Sequence, residues 1–143
     1  MKNPFGITTK RCQKKDYDFV YKLLKQTLFH FIAEYFPIDK KMFDDTFANK
    51  YKEMTILMKG KRRIGLYSIT SLKNTLDIDR LFITPTYQNK GIGKFLMEYF
   101  ETLGYKKITL QVWDNNPAYH FYKKLGYKVA KKKGHKYIME KIR

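Results

Sequence analysis

Seven consecutive residues, Gln88-Asn89-Lys90-Gly91-Ile92-Gly93-Lys94, place two glycines and two lysines just ahead of an apolar stretch with helical period. The first turn of a helix has unpaired N–H groups and a partial positive charge, so it is a seat for phosphate. Gly91 and Gly93 remove side chains where a ligand must approach the backbone, and Lys90 and Lys94 add charge at the same point. Two common glycine loops are excluded by the neighbours. A Walker-type loop needs Ser or Thr after Gly-Lys, where Phe95 stands. A dinucleotide fingerprint needs a small residue three positions after Gly93, where Leu96 stands. The plain alternative is a turn whose glycines serve chain reversal only.

Three further groups could move protons. Tyr122 carries a phenol that stays protonated at neutral pH, with an ordinary pKa of ~10, and can donate to a basic leaving group. The alternative is one of 12 tyrosines packing a helix. Asp77 and Asp79 share parity with Leu81 and Ile83 on a strand and therefore face one side, as candidate bases for an attacking amine. The alternative for them is the exposed face of an alternating strand. His30 and His120 are weaker candidates.

These residues must be positioned by a mixed sheet with helices on its faces, an α/β (α+β) arrangement. A first strand is expected over Ile7–Cys12. A helix follows with Asp16 as N-cap and Val20, Leu23, Leu24, Leu28, Phe31, Ile32 and Tyr35 on its apolar face, ended by Pro37. A short helix is expected over Lys41–Lys50. Strands are expected at Met54–Met58, Ile64–Ile69 and Leu76–Ile83, in an antiparallel meander with turns at Lys59-Gly60-Lys61 and Ser71–Asn74. A helix then carries Ile92, Phe95, Leu96, Tyr99, Phe100 and Leu103 on one face and stops at Gly104. The strand Ile108–Val112 is expected to run parallel to Leu76–Ile83, because a helix separates them. Pro117 fits the first turn of a last helix closing at Leu125-Gly126, and strands at Tyr127–Ala130 and Lys136–Lys141 complete the chain.

The 143 residues are 43% hydrophobic, which suits a single domain over 1–143 with a sizeable core. The lone Cys12 permits no internal disulfide, and with three scattered histidines it has no zinc spacing, so no metal is expected. No apolar stretch of transmembrane length and no signal-type N-terminus appear. The expectation is a cytoplasmic protein without a membrane partner, monomeric or homodimeric. The net charge of +17 attracts polyanions. Residues 106–143 hold eleven Lys/Arg against Asp114 and Glu140, with aromatics interleaved. The rival reading is therefore a nucleic-acid or ribosome-binding module.

Gln88-x-x-Gly91-x-Gly93 following Leu81-Phe82-Ile83-Thr84-Pro85 resembles the coenzyme A signature of the GCN5-related N-acetyltransferase (GNAT) superfamily. Asn115, Ala118 and Tyr122, followed by Gly126-Tyr127, resemble its second signature, with Tyr127 where Phe is usual and a doubled Asn115-Asn116. The resemblance is closest over 76–127. It implies a sheet of about six to seven strands flanked by about four helices. It implies acetyl-CoA as cosubstrate and direct acetyl transfer to a primary amine: a protein N-terminus, a lysine side chain or a small amine. It implies that Phe82 and Ile83 supply backbone groups to the pantetheine arm, that Gln88, Asn89, Lys90, Gly91, Ile92, Gly93 and Lys94 cradle the pyrophosphate, that Asn115 faces the coenzyme, and that Tyr122 is the general acid. Some protein-lysine acetyltransferases of the superfamily carry Glu at the spacing of Asp77. The acceptor would be shaped by residues 29–50, where Phe29, Phe31, Tyr35, Phe36, Phe43 and Phe47 cluster. A coenzyme A-binding relative without catalysis is a third reading.

Overall fold

The computed structural model describes residues 3–143. The elements run β1 (Ile7–Arg11), α1 (Tyr17–Thr27), α2 (Phe29–Ala33), α3 (Lys40–Lys50), β2 (Thr55–Lys59), β3 (Arg62–Leu72), β4 (Thr75–Ile83), α4 (Ile92–Glu101), β5 (Lys107–Trp113), α5 (Ala118–Lys124), β6 (Lys128–Lys133) and β7 (Lys136–Ile142). The strands form one seven-stranded sheet in the order β1-β2-β3-β4-β5-β7-β6. β4 and β5 are parallel, since α4 carries the chain from one to the other, and β1–β2, β2–β3, β5–β7 and β6–β7 are antiparallel. This is the mixed, mostly antiparallel sheet that the spacing of the elements predicts. The residues group into two compact units, one of residues up to Ser68 with Arg80–Gly93, the other of Ile69–Asp79 with Lys94–Arg143.

In the first unit, Val20, Leu23 and Leu24 of α1 and Phe43 and Phe47 of α3 are buried with Cys12, Met54, Ile56 and Leu66. Each such side chain contributes about 1.5–3 kcal/mol by leaving water. The single helix predicted over Val20–Tyr35 is broken at Leu28 (φ −132°, ψ −45°). There the Thr27 hydroxyl donates to the Leu23 carbonyl at 2.7 Å, competing with the helical ladder. The restart sets Phe29 edge-on to Tyr21 (5.9 Å) and Phe43 (6.0 Å). Asp16 stands at the N-cap position of α1 but makes no cap bond with its side chain. Its carboxylate is buried and accepts instead from the Gln13 N–H (2.8 Å), Lys10 Nζ (2.9 Å) and Arg63 Nε (2.8 Å). Burial alone would raise its pKa, but those three donors outweigh it and hold the carboxyl below its ordinary value.

In the second unit, β5 lies between β4 and β7, so Ile108, Leu110 and Val112 are all buried. The buried face of α4 includes Leu96, Met97 and Phe100, whereas Tyr99 and Leu103, predicted for that face, are exposed. The side that meets the core is turned toward Met97 by the packing, a shift of one position that periodicity alone leaves open. α4 ends at Glu101, and the N–H groups of Thr102 and Leu103 bond three residues back in a tightened last turn before Gly104 (φ +90°). β6 begins one residue later than the predicted strand, because the Tyr127 N–H closes on the Tyr122 carbonyl at 3.1 Å at the end of α5, and it runs on past the predicted end at Ala130 to Lys133, with all six of its residues exposed. Among the described residues no helix is long and apolar enough to cross a membrane.

Candidate active site

The glycine segment forms an exposed turn leading into α4. A short 3-10 turn over Pro85–Tyr87 ends β4's exit, with the Gln88 N–H donating to the Pro85 carbonyl at 3.2 Å. Asn89 (φ +61°) and Gly91 (φ +90°) are both left-handed, with Lys90 between them at negative φ. Backbone that alternates hand in this way turns successive N–H groups toward one side and forms a concave anion seat. Gln88, Asn89, Lys90 and Gly91 are exposed, and Ile92 is buried as the first anchor of α4. A Cβ at Gly91 would meet only the Phe5 ring, at 3.4 Å, so the glycine is required by its φ rather than by crowding. The Gln88 amide donates to the Ile83 carbonyl at 2.9 Å and braces the turn against the strand it leaves. Lys94 lies 3.9 Å from Glu98, one turn along α4. An exposed donor surface with two lysines and no carboxylate between residues 88 and 94 fits a pyrophosphate.

The end of β4 depends on a residue that sequence reading passed over. Gly65 of β3 lies so close to Phe82 that a Cβ there would stand 2.5 Å from the Phe82 carbonyl oxygen. The Thr84 N–H donates to the Ile64 carbonyl at 2.9 Å. Phe82 and Ile83, both half-buried, are therefore held by backbone on the β3 side. The signal for Gly65 was present, since a lone glycine within a strand marks close approach of backbone.

The two aspartates of β4 are brought together. Asp77 is half-buried and accepts from the Thr109 hydroxyl at 2.6 Å, its register neighbour on β5. Asp79 is exposed and accepts from the Thr70 hydroxyl. Burial and the hydrogen-bonded, like-charged Asp79 push the Asp77 carboxyl up to about 6, with Thr109 opposing. A carboxyl at about 6 is largely ionised at neutral pH yet is a stronger base than an ordinary carboxylate, which suits it to accept a proton. Cys12, by contrast, is buried and pushed up to about 11 by that burial, so it is no nucleophile.

The doubled asparagine divides its labour. Asn116 Oδ1 accepts from the Ala118 N–H at 2.9 Å and so starts α5, while Asn115 is half-buried beside it. Tyr122, on α5, is half-buried with its ring edge-on to Phe121 (5.1 Å) and Tyr127 (6.1 Å). Burial pushes its phenol up to about 12. His30 and His120 are exposed. Of the aromatic group in residues 29–50, Phe43 and Phe47 belong to the core, and Phe36 with Ile38 and Met42 are the exposed apolar side chains there.

Residues 51–129 match the family model described as acetyltransferase (GNAT) domain. The chain belongs to the GNAT acetyltransferase family. It is 34% identical over 83 residues to spermidine N(1)-acetyltransferase of Thermoplasma acidophilum, a stretch covering 54% of this chain and 52% of that protein. It is 44% identical over 53 residues to the peptidyl-lysine N-acetyltransferase YjaB of Salmonella typhimurium, covering 37% of each. The match thus spans about half the length of the first relative and less of the second. In fold, this GNAT chain resembles the PaiA N-acetyltransferase from Thermoplasma acidophilum, solved in complex with coenzyme A, with a TM-score of 0.74 at 22% identity over 96% of this chain and 99% of that one. The glycine turn, β4 and Tyr122 all fall within the matched residues 51–129 of this family member.

Proposed function

We propose that the chain is a single acetyltransferase domain that moves an acetyl group from acetyl-CoA directly to a primary amine. The observation that carries this is the exposed, alternately handed turn at Asn89–Gly91, a backbone anion seat at the entrance to α4 in a chain of the GNAT family. In this reading Gln88–Lys94 hold the pyrophosphate, backbone groups of Phe82 and Ile83 hold the pantetheine arm, and Asn115 faces the coenzyme. That Asn116 is engaged at the start of α5 favours Asn115 for this role.

Asp77 accepts the proton of the attacking amine and becomes neutral, and Asp79, hydrogen-bonded to it, is the alternative acceptor. As the C–N bond forms and the C–S bond breaks, Tyr122 donates to the departing sulfur. Its phenol, at about 12, is a weaker acid than an ordinary thiol at ~8.5. Complete transfer is uphill by ~5 kcal/mol on those values, so its contribution is a hydrogen bond to the developing thiolate. The relatives named for spermidine and for peptidyl-lysine both point to an acceptor that carries a primary amine.

Release of free thiol from acetyl-CoA, measured with spermidine, a lysine peptide and a free-N-terminus peptide in turn, tests the reading. Turnover with at least one is expected. No turnover, together with no coenzyme A binding by calorimetry, defeats it. A polyanion partner is the second reading, favoured by β6, exposed throughout and carrying Lys128, Lys131, Lys132 and Lys133. Tight, salt-dependent RNA binding without coenzyme A binding would place the protein there instead.

A further inference from the structure

The first unit contains a cavity of about 270 Å³ whose lining includes Lys22 and Gln26 of α1, Arg62 and Arg63 of β3, and Thr84 and Thr86 ahead of the glycine turn. Three cationic side chains face it and no carboxylate lines it. Arg63 is fixed, because its Nε is bonded at 2.8 Å to Asp16, which is itself buried; its terminal Nη groups have no partner among the described residues. Lys22 and Arg62 make no ion pair among the described residues. Like charges gathered around one concavity repel each other, and an anion placed there relieves Lys22 and Arg62, while Arg63, its charge already offset by Asp16, brings its remaining Nη donors.

We infer that this cavity is a seat for a phosphate monoester. Its volume is below the ~300–1,000 Å³ of pockets that enclose a drug-sized ligand, so it suits a phosphoryl group with little of its ester. The guanidinium groups offer donors in the fork geometry that phosphate oxygens accept, Lys22 supplies a point charge, and the Thr84 and Thr86 hydroxyls supply neutral donors. Thr84–Tyr87 runs straight into Gln88, and the Tyr87 N–H already closes on the Thr84 carbonyl at 2.9 Å. A phosphate seated against this turn braces the segment from which the glycine turn springs. The phosphoryl group has two sources, a separate phosphate ester or the 3′-phosphate of the coenzyme itself. The seat does not depend on acetyl transfer.

The test titrates the isotope-labelled full chain with inorganic phosphate while its backbone amide resonances are followed, using sodium chloride of equal ionic strength as control. Saturable shifts at Thr84, Thr86 and Tyr87 are expected. The double variant Lys22→Ala/Arg62→Ala, which changes two exposed side chains and leaves Asp16 with its partners, should weaken them about tenfold or more for each cation removed. Phosphate shifts spread evenly over surface lysines, or shifts that the double variant leaves intact, overturn the inference. A second arm compares coenzyme A with 3′-dephospho-coenzyme A by calorimetry. If the phosphate shifts hold and the double variant abolishes the preference for coenzyme A, the seat belongs to the 3′-phosphate; an unchanged preference assigns it to a separate ester. Phosphate binding intact with no coenzyme A binding refutes the acetyltransferase reading and upholds this one.

Discussion

Replacing Asp77 by Asn separates the chemical cost of a raised carboxyl from its use. Asp77 stands at about 6 against an ordinary 3.8, because it is half-buried and bonded to Asp79. A difference of about two units corresponds to ~3 kcal/mol, reduced to roughly 1–3 kcal/mol because the exposed Asp79 is screened by water. The direction follows from the two states. Below 3.8 both folded and unfolded chains hold the proton, and Asp77 costs nothing. Between 3.8 and about 6 the unfolded chain releases it first, so wild-type stability falls as pH rises, and above about 6 the full cost is present. Asn keeps an acceptor for the Thr109 hydroxyl and does not titrate. Asp77→Asn is therefore expected to be more stable than the wild type at pH 7.5, by roughly 3–10 °C in Tm, with the gap closing toward pH 4. Its turnover with acetyl-CoA and amine is expected to fall by about 10²–10⁴, and wild-type kcat to drop as pH falls through about 6. Urea and thermal melts at pH 4.0, 5.5 and 7.5 beside a thiol-release assay measure both. A variant less stable than the wild type at pH 7.5, or a gap independent of pH, would refute the account of Asp77.

Tyr122→Phe removes one donor to a charged sulfur and is expected to lower kcat about 10- to 100-fold, with acetyl-CoA affinity by calorimetry nearly unchanged; loss of binding alone would contradict the donor role. Gly65→Ala places a Cβ 2.5 Å from the Phe82 carbonyl. It is expected to cost about 1–3 kcal/mol in urea denaturation and to raise KM for acetyl-CoA, and an unchanged KM would separate the Phe82 backbone from the coenzyme. Asp16→Asn leaves Lys10 and Arg63 facing a neutral group and is expected to lose roughly 2–4 kcal/mol at pH 7. Because the Asp16 pKa is depressed in the folded chain, the stability it supplies is present above an ordinary 3.8 and lost as pH falls through the folded value. A difference from the wild type that persists undiminished at pH 2 would contradict this.

Local chemistry was legible in the residues themselves. A turn ahead of a helix is favoured by residues that take left-handed backbone, so Gly91 and Gly93 declare it and Asn89 belongs to the same message, while Lys90 and Lys94 add positive charge at the same point. The strand parity of Asp77 and Asp79 was equally plain, because side chains two apart on a strand share a face. Interactions that join distant residues were not legible. Thr109 is 32 positions from Asp77 and reaches it only through the β4–β5 register. Gly65 is pinned to Phe82 by the approach of two strands. Asp16 carries the local signature of a helix cap, yet Arg63, 47 positions away, helps draw its carboxylate inward. Charge pairing and burial depend on distance in space, and only the folded chain sets those distances; hence the sequence by itself determined the glycine turn ahead of α4 and the order of elements, while the tertiary structure decided the strength of the Asp77 acid and the fate of Asp16.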